Sequence, residues 1–421
     1  MKKIIFSREQ FFFFPLLGIY LIIITVFSSN ELVGDEMRHM HYANNLVQGY
    51  YTSAENPEIG NGPGYPIFIT PFVLLDFPLI LIKLLNSLLL LGAVLFFFKT
   101  LRLYISLQKS LILAYILGLY PPFIKYSVLL LSEPLVLFLI CGFIYNVIKL
   151  YKSKHINYTN LFLAIIFLGL ATLTKVIFGY VLLFCLIVYL IHFIWTKSKE
   201  SKLAVLTLTG ALVICSPFLF YTYSLTGKLF YWGTQGGSIL YHRSTPFPNE
   251  VGNWMDKTLI YNTEDTEHFG LNTFGKNHKA FLDSISLLTP VKQDSLYKQK
   301  AIANIKKHPL KYLENTISSG ARLFFNYPYS YTPQKTTSLV YIIPNTLLLT
   351  LLLLTLYLIY HNLKSVPFEI YFLGLLSIIF MGGLTLLDGR VRHLSPAIPI
   401  LLFIIIVIIN KFISLKIKKS D

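Results

Sequence analysis

Long apolar runs separated by short polar segments dominate the chain. A helix of about 20 apolar residues crosses the hydrocarbon core of a bilayer, so this pattern predicts membrane-spanning helices. The predicted spans are residues 11–29, 78–98, 109–122, 128–148, 157–174, 176–196, 203–224, 336–360, 367–386 and 394–413. The sequence therefore predicts an all-α polytopic membrane protein with about ten transmembrane helices.

Two features of the apolar pattern carry further predictions. Lys175 interrupts a long apolar stretch, and we expect a hairpin of two helices to turn there. The first apolar run is followed by polar residues without a small-x-small cleavage pattern. We therefore expect this run to remain as the first span and not to be removed as a signal peptide.

Two polar segments are too long to be simple connections, and such segments are usually functional. They divide the chain into a transmembrane module (1–224) with a first external loop (30–77), a large extracytoplasmic loop (225–335) and C-terminal transmembrane helices (336–421). The pattern predicts external amphipathic or interfacial helices at residues 35–48, 60–71, 293–307 and 309–325.

Two of these helices have a predicted apolar face. The helix at 35–48 turns Met37, Met40 and Val47 toward lipid and its polar residues to the other side. In the helix at 309–325, one face carries Leu310, Leu313, Ile317, Ala321 and Phe324.

Composition agrees with a lipid environment and excludes a soluble enzyme. The 421 residues are 54% hydrophobic and 13% charged, with a mean hydropathy of +0.61, whereas soluble domains are about 25% charged. The net charge of +16 comes from cations between the apolar runs, which act as topological anchors and do not indicate nucleic-acid binding. The anchors are Lys2, Lys3, Arg8, Lys99, Arg102, Lys109, Lys149, Lys152, Lys154, Lys197, Lys199, Lys202, Lys364, Lys411, Lys416, Lys418 and Lys419.

These anchors alternate along the chain, which predicts both termini inside and the two long loops outside the cell (inner) membrane. The three cysteines, Cys141, Cys185 and Cys215, lie in apolar runs. We interpret them as packing residues without disulfide, zinc or nucleophilic roles.

Two adjacent carboxylates, Asp35 and Glu36, follow the first span at the start of the predicted surface helix. Acids in a first helical turn are favoured by the helix dipole, so one interpretation is capping alone. The other is a general base, which takes a proton from an acceptor hydroxyl at the edge of a lipid-walled cavity.

Short motifs in order along nearly the whole chain resemble the GT-C glycosyltransferases, in particular the protein mannosyltransferase (family 39) and aminoarabinose-transferase-like group. The first external loop supplies Asp35-Glu36, the following helix with Tyr42, and Gly62-Pro63-Gly64-Tyr65-Pro66. Further matches are Pro121-Pro122, Leu131-Ser132-Glu133-Pro134-Leu135, Leu173-Thr174-Lys175, Thr226-Gly227, Gly236-Gly237, His308-Pro309 with Tyr312, and Arg390-Val391-Arg392-His393-Leu394-Ser395-Pro396.

The resemblance implies a GT-C fold and an inverting glycosyltransferase that uses a polyprenyl-phosphate-linked sugar donor and a glycan, lipid or protein acceptor. It implies Asp35 and Glu36 as catalytic residues. It also implies a set of substrate-binding residues, namely Arg38, His39, Tyr42, Tyr65, Glu133 and His393. Two departures stand out: Lys175 and Val176 replace the family's usual Arg-Pro, and no separate C-terminal domain is evident, so the loop at 225–335 is expected to recognise the acceptor.

A departing phosphate requires cations at the outer interface, and Arg390, Arg392 and Lys175 are predicted there. The alternative for these three is that they only snorkel to the interface.

An ionisable Glu133 just inside a span suggests function, although it could instead satisfy a neighbouring helix end. His39 and His41 beside the two acids could form a metal site, but the resemblance implies transfer with no required cofactor, so a divalent metal stays an option.

Two other functions remain open from the sequence. An envelope polysaccharide polymerase or ligase would carry its chemistry in the large loop, where Arg243 and Arg322 are isolated in the sequence. A lipid-linked sugar flippase or transporter would show paired half-molecules and broken helices in corresponding positions, and the sequence shows neither.

Overall fold

The computed structural model describes residues 8–260, 271–332 and 336–413. In these ranges the chain consists of α-helices, short 3-10 turns and loops, without strands. The predicted anchors Lys2, Lys3, Lys416, Lys418 and Lys419 lie outside the described residues, as do residues 261–270 and 333–335 of the large loop.

The helices of the N-terminal module follow one another closely. They are α1 (Phe14–Phe27), α2 (Asp35–Val47), α3 (Gly64–Leu74), α4 (Leu79–Leu101), α5 (Leu107–Gly118), α6 (Pro121–Ser127), α7 (Glu133–Lys152), α8 (Tyr158–Thr174), α9 (Ile177–Thr196) and α10 (Lys199–Thr226). Side-chain caps fix two of the starts, because Asn157 and Ser198 accept hydrogen bonds from the first turns of α8 and α10.

The remaining helices form the large loop and the C-terminal spans. They are α11 (Gly236–Arg243), α12 (Leu271–Ile285), α13 (Pro290–Lys307), α14 (Pro309–Phe325), α15 (Leu339–His361), α16 (Phe368–Leu386) and α17 (Ile398–Phe412). Helices are present at all four predicted positions, as α2, α3, α13 and α14, while their external location stays a prediction. The predicted hairpin at Lys175 is confirmed by the break between α8 and α9.

Six helices, α4, α7, α9, α10, α15 and α16, are long and apolar enough to cross a membrane. The pair α5 and α6 bends by 51° at Pro121 and gives a seventh candidate if it is one span. Four further apolar helices have 10 to 17 residues and include α8 and α17. The chain is a multi-pass membrane protein, and the predicted number of ten spans stays a prediction.

The spans pack as a bundle in which α4 contacts α7, α7 contacts α8, and α10 contacts both α8 and α9. Helix α16 packs on α9, and α17 packs on α7 and α15. Cys141, Cys185 and Cys215 are buried in this bundle.

Contacts between helices bring the first loop and the large loop close to the corner at Lys175. Helix α2 packs on α3, which packs on α8 near the Lys175 corner. From the large loop, α14 packs on α16 and on the 3-10 turn Val391–Leu394. Residues from both ends of the sequence therefore meet beside the corner between α8 and α9.

Candidate active site

A polar cavity of about 190 Å³ lies where these external segments meet. Its charged lining comes from the first loop, the Lys175 corner and the segment before α17, namely Asp35, Arg38, Lys175, Asp388, Arg390 and Arg392. Asn61, Gln235, Trp254 and His393 complete its polar and aromatic walls. The structure thus brings together predicted residues that are as far apart in sequence as Asp35 and Arg392.

Asp35 reaches the cavity because the chain turns sharply just before α2. Gly34 has a φ of +56°, a left-handed conformation that favours glycine. Asp35 is then the first residue of α2, where the helix dipole favours a negative charge.

Two guanidinium groups hold the Asp35 carboxylate. Arg392 Nη2 donates to Asp35 Oδ2 at 2.5 Å, and Arg38 Nη2 donates to Oδ1. Burial opposes ionisation of Asp35, but Arg392 and then Arg38 outweigh it and lower the pKa of this carboxyl below its usual value. Asp35 is therefore ionised and firmly positioned.

Glu36, predicted as catalytic, lies on the other side of α2. Its carboxylate is fully buried, accepts the Leu130 N–H at 2.8 Å and lies 3.2 Å from Lys83 Nζ. It does not line the polar cavity. These contacts anchor the segment that leads into α7, and the catalytic role of Glu36 stays a prediction.

Arg390 is fixed between an acid and an aromatic ring. Its Nε donates to Asp388 Oδ2 at 2.8 Å, and its guanidinium carbon lies 5.2 Å from the centre of the Trp254 ring. The ion pair with Asp388 involves Nε of Arg390, and Arg390 lines the polar cavity.

Lys175 closes the other side of the cavity, where α8 ends. Its Nζ donates to Glu133 Oε1 at 2.8 Å, and Glu133 is the buried first residue of α7. Glu133 lies behind the lining and orients Lys175, while Lys175 itself lines the cavity. The substrate-binding role of Glu133 stays a prediction.

Three further predicted residues support the cavity wall from behind. Tyr42 accepts the Gly60 N–H at 2.8 Å and donates to the carbonyl of Glu58 at 3.1 Å. The buried His39 accepts from Asn61 Nδ2 at 3.2 Å, and its ring lies 4.8 Å from that of Tyr65. Burial lowers the pKa of His39 to about 4, so this histidine is neutral near pH 7.

His393 differs from these three because it lines the cavity. Its Nδ1 donates to the carbonyl of Asp388 at 3.0 Å. Burial and the neighbouring Arg392 lower the pKa of His393 to about 4, so it adds no charge. Within the described ranges no three His, Cys, Asp or Glu side chains are grouped to hold a metal ion.

An apolar groove of about 230 Å³ adjoins the polar cavity. Ile177 and Tyr180 of α9 and Phe380 and Leu384 of α16 form its walls, and Lys175 and His393 belong to both spaces. Tyr180 is about half exposed on the outside of a membrane-spanning helix. The groove therefore connects the lipid-facing surface with the cations of the cavity.

Sequence reasoning missed Asp388, Gln235 and Trp254. Asp388 lies two positions before Arg390, and this spacing of opposite charges is a signal that could have been used. Arg243 and Ser319 of the large loop hold the same segment: Arg243 Nε donates to the Leu387 carbonyl, and the Gly389 N–H donates to Ser319 Oγ. Gln235 and Trp254 have no local pattern that marks them.

No protein-family model and no curated protein matches this sequence. Among solved structures, the archaeal oligosaccharyltransferase AglB from Archaeoglobus fulgidus, in complex with an inhibitory peptide and a dolichol-phosphate, has a TM-score of 0.50 at 13% identity. That match covers 96% of this chain and 51% of the AglB chain. The likeness to AglB shows the fold, and the predicted all-α polytopic membrane fold is confirmed.

Two other solved structures match less closely in shape. ArnT from Cupriavidus metallidurans bound to undecaprenyl phosphate has a TM-score of 0.41 at 13% identity, over 95% of this chain and 78% of that chain. The S. cerevisiae protein O-mannosyltransferase Pmt1-Pmt2 complex bound to the sugar donor has a TM-score of 0.40 at 18% identity, over 59% of this chain and 38% of that chain. The chain thus spans about half of the AglB chain and less of the Pmt1-Pmt2 chain.

Proposed function

We propose that this protein is an inverting glycosyltransferase that moves a sugar from a polyprenyl-phosphate donor to an acceptor hydroxyl. The site lies on the extracytoplasmic face of the cell (inner) membrane, with both termini inside. The observation that carries the proposal is that the apolar groove shares residues with a cavity lined by four cations and by the carboxylates of Asp35 and Asp388.

The groove and the cavity match the two halves of such a donor. A polyprenyl chain fits the apolar walls between α9 and α16, and its phosphate then meets Lys175, Arg390 and Arg392. Planar guanidinium groups bind phosphate oxygens in pairs, which favours the two arginines as the principal ligands. The dolichol-phosphate bound to AglB, which shares this fold, supports the same class of donor.

The reaction follows from the position of Asp35. The acceptor oxygen attacks the anomeric carbon while the bond from that carbon to the phosphate oxygen breaks, and the electron pair stays on the phosphate. Asp35 takes the proton of the acceptor hydroxyl. The four cations stabilise the charge on the leaving phosphate.

A polymerase or ligase that uses arginines of the large loop finds less support. Arg243 and Arg322 are fully buried, and both donate to backbone carbonyls: Arg243 to Asn315 at 2.7 Å and Arg322 to Val251 at 3.0 Å. Neither lines the polar cavity or the apolar groove. Their contacts hold the loop together.

The substitution Asp35→Asn tests the proposal. We expect transfer to fall by about 10²–10⁴-fold because the general base is lost. Binding of undecaprenyl phosphate, used as a probe, should persist or tighten because Arg392 no longer has a carboxylate partner. Envelope glycan mass spectrometry of complemented cells measures transfer, and native mass spectrometry of the purified protein measures binding.

Asp76→Asn is the matched control, since Asp76 is exposed and lies outside the cavity lining. It should transfer and bind like the unchanged protein. Normal transfer by Asp35→Asn would remove Asp35 from the mechanism, and absence of undecaprenyl phosphate binding in all variants would overturn the proposed donor class.

A further inference from the structure

A larger pocket of about 630 Å³ adjoins the polar cavity. We call it the outer pocket; residues from the first loop, α11, the segment 254–257 and the connection between α12 and α13 line it. Its volume is within the range of about 300–1,000 Å³ that small-molecule sites occupy. Of the residues that line the polar cavity, only Gln235 and Trp254 also line the outer pocket.

Gln235 and Trp254 join the outer pocket to the polar cavity, since both residues line both spaces. Trp254 is 37% exposed, and Arg390 lies over its ring. Gln235 immediately precedes α11 and also lines the apolar groove. A molecule in the outer pocket therefore ends beside the residues that would hold the donor phosphate.

The lining of the outer pocket is rich in uncharged hydrogen-bonding side chains and contains two aromatic rings. Asn56, Ser238, Thr289 and Gln293 are among the amide and hydroxyl groups, and Trp254 and Tyr297 are the rings. Sugar rings present hydroxyl groups at their edges and C–H groups on their faces. Amide and hydroxyl side chains bind the sugar hydroxyl groups, and aromatic rings pack against the C–H faces of the sugar.

The charges of the outer pocket do not favour an anionic ligand. Glu58 and Asp256 oppose a single cation, Lys257, whereas the polar cavity has four cations. His242 also lines the pocket, and burial lowers its pKa to about 3, so it stays neutral. A phosphorylated or acidic acceptor would meet two carboxylates here.

The shape of the lining also does not favour an extended peptide. Extended peptides commonly bind by adding a strand to an exposed sheet edge, or by placing side chains in apolar pockets. In the described part of the chain the lining consists of helices and loops, with no strand edge, and its polar groups come from four separate segments.

We infer that the outer pocket is the acceptor subsite and that its ligand is an uncharged glycan, whose terminal hydroxyl reaches Asp35 past Gln235 and Trp254. This inference rests on the proposed transferase function. It specifies the chemical class of the acceptor, whereas the proposed reaction specifies only an acceptor hydroxyl.

A matched pair of serine substitutions tests the inference. Ser286 lines the outer pocket and Ser284 does not. Both serines are exposed, and each donates to the carbonyl three residues earlier, Ser286 to Asp283 and Ser284 to Phe281. Ser286→Trp fills the pocket mouth, and Ser284→Trp places the same bulk outside it.

The full-length protein in nanodiscs of uncharged lipid is assayed on an array of neutral glucan, mannan, galactan and chitin fragments, phosphorylated and sialylated glycans, and Ser/Thr peptides. We expect the unchanged protein and Ser284→Trp to bind neutral fragments, and Ser286→Trp to bind them at least tenfold more weakly. Undecaprenyl phosphate, measured in parallel, should bind all three proteins equally.

The inference is overturned if Ser286→Trp binds neutral fragments as well as Ser284→Trp does. It is also overturned if only peptides or anionic glycans bind, or if no neutral fragment binds although undecaprenyl phosphate does. Loss of undecaprenyl phosphate binding in the unchanged protein is a separate result, because it overturns the proposed function itself.

Discussion

Asp35 and Glu36 are adjacent in sequence but have different environments. Asp35 lines a cavity between two guanidinium groups, whereas Glu36 is fully buried against Lys83 and the backbone of Leu130. A carboxylate with all of its partners inside the protein is not accessible to substrate. Of these two acids, Asp35 lines the cavity, and Glu36 makes its contacts inside the protein.

We expect Glu36→Gln to lower the stability of the folded protein. Lys83 would keep the Ser29 carbonyl, at 2.8 Å, but would lose its buried counter-charge. Removing one partner of a buried ion pair lowers the free energy of unfolding by about 3–5 kcal/mol. Unfolding midpoints in detergent measure the effect.

The double variant Glu36→Gln with Lys83→Met is the control, because it removes both charges and should recover much of the lost stability. A Glu36→Gln protein that is as stable as the unchanged one but inactive would instead support a catalytic role for Glu36.

The sequence predicted Asp35, Arg390, Arg392 and Lys175 because each follows or precedes an apolar run at its external end. It could not predict that Glu36 pairs with Lys83, since that contact depends on the tertiary placement of α2 relative to α4. Trp254 lies in an irregular segment, and only tertiary packing brings it to Arg390. Local patterns identify charges at helix ends but not their partners.

At the level of elements, the loop before α3 rests directly on the corner that carries Lys175. A side chain at Gly62 would place its Cβ 2.1 Å from the carbonyl oxygen of Leu173 at the end of α8. The close approach is possible only because residue 62 has no side chain. This contact holds the first loop and the Lys175 corner in register.

We therefore expect Gly62→Ala to destabilise the protein by roughly 1–3 kcal/mol, the usual cost of overpacking. Transfer should fall at least tenfold because Lys175 is displaced. Gly18→Ala is the control, since a Cβ there meets nothing within 4 Å. Equal unfolding midpoints and equal transfer for the two variants would show that the loop adapts without cost.

The periodic sequence pattern of α14 did not determine which face of this helix is buried. The sequence predicted its bounds and its apolar stripe, but Leu310, Leu313 and Ile317 of that stripe are exposed. The buried side of the helix is polar instead and includes Asn315, Ser319 and Arg322. A periodic pattern gives the two faces, and only the surroundings, lipid or protein, decide which face is buried.

For the whole molecule, orientation in the membrane is the prediction with the widest consequences. The cationic connections, such as the one containing Lys154, should lie inside, and the outer pocket should lie outside. We expect a membrane-impermeant maleimide to label Ser286→Cys in intact cells and Lys154→Cys only after permeabilisation.

The native cysteines give little background in this experiment, because all three are buried. Both substituted positions are exposed. The opposite labelling pattern would place the polar cavity inside the cell and remove it from contact with extracytoplasmic acceptors.

The fold as a whole was easier to predict than the number of spans. Every predicted apolar run became helical, since lipid requires the backbone to satisfy its own hydrogen bonds. The number of spans is harder, because helices such as α8 and α17 are shorter than the length that crosses a bilayer without local adjustment. Hydropathy alone does not decide between a full and a partial crossing.

The ion pairs of Asp35 with Arg392 and Arg38 affect the rate of proton transfer to this carboxylate. A carboxylate whose pKa lies far below the working pH has little affinity for a proton, so Asp35 is a weak base while Arg392 and Arg38 hold it. A phosphate that draws Arg392 away raises the proton affinity of Asp35. In the proposed reaction, donor binding therefore strengthens the base, and proton transfer from the acceptor follows it whichever substrate binds first.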